Sequence, residues 1–142
     1  MKRHFTFLRV FLVLLLASTQ SFALVRVERI TKEKAEKEFD ATVRTEPAGT
    51  NQMGVRLEFA LQARLKTFSS VQLEITSNGR KVVSATLEPS RLPDRVVVYF
   101  STAPEYLAGS RFIVYYKISG GFPPFDGIEF AVADFIKHEP SP

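Results

Sequence analysis

The clearest pattern in the chain is a two-residue alternation. Val55, Leu57, Phe59, Leu61 and Ala63 alternate with Arg56, Glu58, Ala60, Gln62 and Arg64. A period of two predicts a strand with one dry face and one wet face. Val71, Leu73 and Ile75 alternate with Gln72 and Glu74, and Val83, Ala85 and Leu87 alternate with Ser84 and Thr86. Both segments predict strands whose apolar sets face inward. The turn between them contains Asn78-Gly79, a pair that favours a two-residue hairpin loop. That loop would set Ile75 opposite Val82 and Leu73 opposite Ser84. A three-residue loop, Ser77-Asn78-Gly79, pairs Leu73 with Val83 and Val71 with Ala85. Face matching governs register, so the three-residue loop is the expectation.

Two later segments are apolar on both sides: residues 95–100 (Arg-Val-Val-Val-Tyr-Phe) and 111–118 (Arg-Phe-Ile-Val-Tyr-Tyr-Lys-Ile). Such strands tend to be central or covered. Between them, Pro104 to Gly109 carries the Pro-first, Gly-last signature of one short helical turn. A final strand is expected over 128–136, with a bulge where the apolar face changes sides at Val132-Ala133-Asp134-Phe135. Upstream, Val25 and Val27 alternate with Arg26 and Glu28 in a short strand. Thr31 to Glu38 sets Lys32–Glu36, Glu33–Lys37 and Lys34–Glu38 four apart, which supports a helical turn or two. Phe39, Ala41 and Val43 alternate as in a strand, so residues 24–52 carry mixed signals. Glu46 to Gln52 reads as a loop by composition.

Seven or eight short strands with turn signals between them predict an all-β fold, an antiparallel β-sandwich of immunoglobulin-like or fibronectin type III-like build. The N-terminus adds an address. Lys2, Arg3 and Arg9 precede eight apolar residues, and Ser21-Phe22-Ala23 supplies small residues at a cleavage site. This is the three-part pattern of a secretory signal peptide, residues 1–23. Cleavage after Ala23 would leave a single domain, residues 24–142, that is periplasmic or secreted. Eight apolar residues fall short of the roughly 20 that span a bilayer, so no permanent membrane anchor is expected.

Charge changes meaning once that segment is set aside. The chain holds 19 Lys and Arg against 15 Asp and Glu, a net +4. Without Lys2, Arg3 and Arg9 the balance is 16 to 15, with basic and acidic residues interleaved. No cluster remains to neutralise phosphates, so nucleic acid is not an expected partner.

Candidate chemistry is sparse. With no Cys and only His4 and His138, thiolate chemistry, a Ser-His-acid triad and a zinc centre all lack their groups. Asp94, Glu105, Asp126 and Glu129 are the carboxylates near loops that a glycosidase could use, but only Asp126 and Glu129 are close in sequence, and neither sits in an apolar stretch that would tune it as an acid. No catalytic residue, cofactor or metal site is expected.

Two binding candidates stand out. One is the loop Phe122, Pro123, Pro124 and Phe125, whose rings either plug the end of the sandwich or present themselves to a partner. The rarity of exposed aromatic clusters favours the plug. The other is the outward set of the two apolar strands: Val97, Tyr99, Ile113 and Tyr115 would merge into one Tyr-rich face if those strands were neighbours. Alternatively, the segment around Ala35 and Phe39 covers that face. The expected role is a non-catalytic binding module, with a protein as partner, or else a carbohydrate or envelope polymer stacked on Tyr99, Tyr115, Phe122 and Phe125.

Overall fold

The computed structural model describes residues 25–63, 66–120 and 125–136. The expected signal peptide, Phe122, Pro123, Pro124 and His138 lie outside the described residues. Among these described residues ten strands form two sheets: β1 (Val25–Arg29), β2 (Thr42–Gly49), β3 (Gln52–Ala60), β4 (Gln62–Ala63), β5 (Lys66–Ser77), β6 (Arg80–Leu87), β7 (Ser90–Arg91), β8 (Arg95–Thr102), β9 (Ser110–Lys117) and β10 (Phe125–Ala131). Sheet A runs β1-β10-β9-β5, with β4 and β6 both against the far side of β5. Sheet B runs β2-β3-β8-β7. All pairs are antiparallel except β1 on β10, so the expected antiparallel sandwich carries one parallel edge strand.

The alternating residues meet between the sheets. Val55, Leu57, Phe59, Val96 and Val98 from sheet B face Val71, Leu73, Phe112, Val114, Tyr116 and Phe130 from sheet A in one buried cluster. Edge-to-face rings stitch the layers together: Phe100 lies 5.4 Å from Phe112, and Phe59 lies 6.3 Å from Tyr116. The Tyr116 hydroxyl, buried among them, donates to the Ala60 carbonyl at 3.0 Å, and burial pushes its pKa up. A buried phenol needs such a partner, because leaving it unpaired would carry its full desolvation cost.

The long alternation from Val55 to Ala63 serves both sheets. It leaves sheet B at Leu61, whose N–H donates to the Asp94 carbonyl at 2.9 Å, and enters sheet A as β4. Thr31 to Glu38 resolves as helix α1 (Lys32–Phe39). The Thr31 hydroxyl accepts from the Lys34 N–H at 3.3 Å, and Asp40 ends the helix in the left-handed region at φ 49°. Tertiary packing selects the helix over the competing strand pattern. Ala35 and Phe39 are buried, and Phe39 packs 5.8 Å from Tyr116 and 6.1 Å from Phe130. The N-terminal segment therefore fills the opening of the core instead of covering an outer face.

Several expectations are corrected. The β5–β6 hairpin has a two-residue loop, because Ser77 pairs with Arg80 while Asn78 (φ 50°) and Gly79 (φ 73°) both sit in the left-handed region. A register shift after Ile75 then sets Ile75 opposite Val83, Leu73 opposite Ala85 and Val71 opposite Leu87. The irregularity satisfies the Asn-Gly turn and the face match together, which a regular ladder cannot. Val83 and Ala85 are nevertheless exposed, on an edge strand that pairs with β5 alone among the described residues. Glu46 to Gly49 belongs to β2, leaving only Thr50-Asn51 as the turn to β3. The expected bulge at Val132 to Phe135 is a 3-10 turn over Val132–Asp134, which changes the apolar face by turning the chain out of the sheet. Pro104–Gly109 forms the expected short helical turn, also 3-10.

Candidate functional site

Val97 and Tyr99 on β8 and Ile113 and Tyr115 on β9 do not merge. β8 belongs to sheet B and β9 to sheet A, so the two outward pairs lie on opposite surfaces of the sandwich. The merged face requires the two strands to be neighbours, and their actual pairing partners, β3 for β8 and β5 and β10 for β9, leave no trace in periodicity.

On sheet A the pair is largely covered. Ile113 is buried. Tyr115 packs beside Val27 over Gly127, its hydroxyl lies 3.3 Å from Gln72 Oε1, and burial raises its pKa. Next to it, Glu74, expected on a wet face, is only 5% exposed. Arg111 holds it through Nη2 at 2.6 Å and Nε at 3.1 Å, and Lys81 bonds its other oxygen. The hydrogen bond from Lys81, joined by Arg111, holds its carboxyl below the usual range against the opposing effect of burial.

On sheet B the picture is the reverse. Tyr99 is 49% exposed. Its ring lies over Gly54, since a Cβ at that position would sit 2.9 Å from both Cε2 and Cζ. Only a residue without a side chain lets the ring settle against the sheet, the arrangement known from aromatic residues that cover glycines in strands. The register places Tyr99 opposite Arg56, and Arg56 opposite Arg44. The row Arg44–Arg56–Tyr99 thus crosses the outer face. Arg44 and Arg56 are exposed. Arg56 Nε bonds Glu58 Oε1 at 2.9 Å, whereas Arg44 enters no ion pair among the described residues. Like charges directly opposite on a sheet are unfavourable. No sequence signal marked Gly54, Arg44 or Arg56 as a group, because register alone aligns them.

The remaining candidates separate. Phe125 sits in β10, half-buried, between Val25 and Lys117 in the ladder. It is therefore a strand residue and not a loop residue. Asp126 is paired with Lys66 and Glu129 with Arg111, and alternation puts them on opposite faces of β10. Asp94 and Glu105 lie exposed in other parts of the surface. Among the described residues no group of three or more His, Asp and Glu is placed to hold a metal ion.

No family model matches the chain, and no curated protein matches it. Among solved structures, it is similar to the solution structure of the carbohydrate binding module of the muscle glycogen-targeting subunit of Protein Phosphatase-1. The identity is 14%, the alignment covers 66% of this chain and 72% of that one, and the TM-score is 0.39. The all-β, two-sheet assignment rests on the strand register itself.

Proposed function

We propose that this chain is an exported, non-catalytic binding module on an immunoglobulin-like scaffold, and that it recognises a protein through the outer face of sheet B. The observation that carries this reading is the row Arg44–Arg56–Tyr99, with Tyr99 seated on Gly54. Tyr and Arg are the residues that most often anchor protein interfaces. A ring held against the sheet has little freedom left to lose on binding. Two arginines directly opposite one another are relieved when a carboxylate-bearing surface docks across them, so an acidic partner surface fits best. Export follows from residues 1–23, with Leu24 as the mature N-terminus.

A second reading draws on the same ring. The exposed face of Tyr99 offers a stacking surface for a sugar, with the arginines as hydrogen-bond donors. Affinity capture from the host's envelope fraction, run beside a glycan array, separates the two. The protein reading expects a captured protein that Tyr99→Ala and Arg56→Ala lose and Tyr115→Ala retains. Glycan binding with the same variant pattern replaces the protein by a polymer. Capture insensitive to Tyr99 and Arg56 refutes this face as the site.

A further inference from the structure

The strand edges of the two sheets are guarded unequally. Open edges invite pairing with other chains, and folded proteins blunt them with charge, proline, irregularity or brevity. β1 has five residues, three of them charged. β2 carries Arg44, Glu46, Pro47 and a register shift at Pro47/Gly49. β4 and β7 have two residues each. β6 is different. Among the described residues it pairs only with β5, and every residue from Arg80 to Thr86 is exposed, including Val82 at 52% and Val83 at 37%. Its centre, Val82-Val83-Ser84-Ala85-Thr86, holds no charge and no proline. The register shift near Ile75/Thr76 lies toward the turn, and beyond it Val83 to Leu87 run in regular register.

Of the three charges of this segment, Lys81 is bonded to Glu74, and the other two are arranged about its middle. Arg80 stands four residues before Ser84 and Glu88 four residues after it. Both are exposed, and neither enters an ion pair among the described residues. We propose that β6 pairs antiparallel with β6 of a second copy of this chain, about a two-fold axis through Ser84. In that register Ser84 faces Ser84 of the second copy, Val83 faces Ala85, and Arg80 faces Glu88 at both ends. The interface is isologous, as closed dimers require. It joins the two A sheets into one, covers the exposed Val83 and Ala85 on the inner side, and supplies partners to two charges that enter no ion pair among the described residues. This contact uses the edge of sheet A and is independent of the Tyr99 face.

The chain contains no cysteine, so a single introduced one reports the register. Directly opposed residues in an antiparallel pair have Cα atoms about 4.5–5.5 Å apart, within disulfide range. Ser84→Cys should therefore oxidise to a covalent dimer. Thr86→Cys should not, because its two copies would be offset by roughly 13 Å along the strands, well past the ~7 Å limit. Sedimentation of the unmodified protein should show a monomer–dimer equilibrium. Arg80→Glu or Glu88→Arg should weaken it roughly tenfold by setting like charges face to face at both ends, and the double exchange should restore it. A chain that stays monomeric at all accessible concentrations overturns the proposal. So does a dimer that Thr86→Cys cross-links as readily as Ser84→Cys, or one that the charge exchange does not rescue. Circular dichroism of each variant separates loss of pairing from loss of fold.

Discussion

Gly54→Ala tests the Tyr99 platform without touching Tyr99. The new methyl would stand 2.9 Å from Cε2 and Cζ of the ring, against an ordinary carbon–carbon separation of about 3.5–4.0 Å. The ring must retreat by roughly 1 Å to restore that spacing. It can do so, because the clashing atoms are the far end of a half-exposed side chain. Lifting it exposes a few tens of Å² of ring, costing about 0.5–1 kcal/mol at about 25 cal/mol per Å². Replacing Gly by Ala in an extended backbone returns about 0.4–1 kcal/mol through the unfolded chain. The two nearly cancel, so the melting temperature should move by less than about 5 °C. Nitration of Tyr99, followed by peptide mass, should accelerate as the ring leaves the sheet, and partner capture should weaken about tenfold or more. Gly109→Ala is the contrast, since its methyl would run into the backbone carbonyl of Thr76. Backbone cannot swing aside, and a loss of about 3 kcal/mol is expected. A Gly54→Ala melting temperature down by more than about 10 °C, or unchanged nitration at Tyr99, would refute the reasoning.

Three other outcomes follow from the packing. Phe39→Ala should cost about 3–5 kcal/mol, measured by denaturant unfolding, because the ring is buried against Tyr116 and Phe130; a loss under about 1 kcal/mol would mean that α1 does not close the core. Gly79→Ala should lose about 1 kcal/mol, since its left-handed backbone disfavours a Cβ; Asn78→Ala should lose less, because Asn78 already carries a Cβ in left-handed backbone and gives up only the local hydrogen bonding of its short polar side chain. Glu74→Gln should destabilise the protein by about 1–3 kcal/mol at neutral pH by removing the charge that Arg111 and Lys81 satisfy. Glu74 has a lowered pKa when folded, so its contribution is complete above the unfolded value of about 4.3 and disappears as pH falls through the lower folded value. The gap between Glu74→Gln and the parent protein, followed by thermal melts across pH 2–7, should close on the acid side; a constant gap would show that the ion pairs do not carry the effect.

Much of the architecture was legible along the chain because a strand writes its two faces into every second residue. Val55 to Phe59 and Val71 to Ile75 declared which side they would bury, and those sides are buried; Val96 to Phe100 and Phe112 to Tyr116, apolar on both sides, declared only that they form covered strands. The Pro104–Gly109 helical turn is a local feature with a local cause, and it too could be read directly; the turn at Asn78-Gly79 was placed correctly but not its two-residue length, which depends on the register shift after Ile75. Pairing is different. A strand's periodicity says which face is dry but not which strand lies beside it, so a merged face on β8 and β9 looked possible although the core separates them. The same gap hid Glu74, whose burial depends on Arg111 of β9 and Lys81 of β6 folding over it. It also hid what surrounds Tyr99, a residue the sequence did single out, because Gly54, Arg44 and Arg56 come together beside it only through the β2–β3–β8 register. The choice of helix for Lys32–Phe39 was likewise tertiary, since helical and strand patterns competed in the segment and the space for Phe39 between the sheets decided it. Local sequence specifies which groups must leave water; only the assembled sheets specify which groups they meet there.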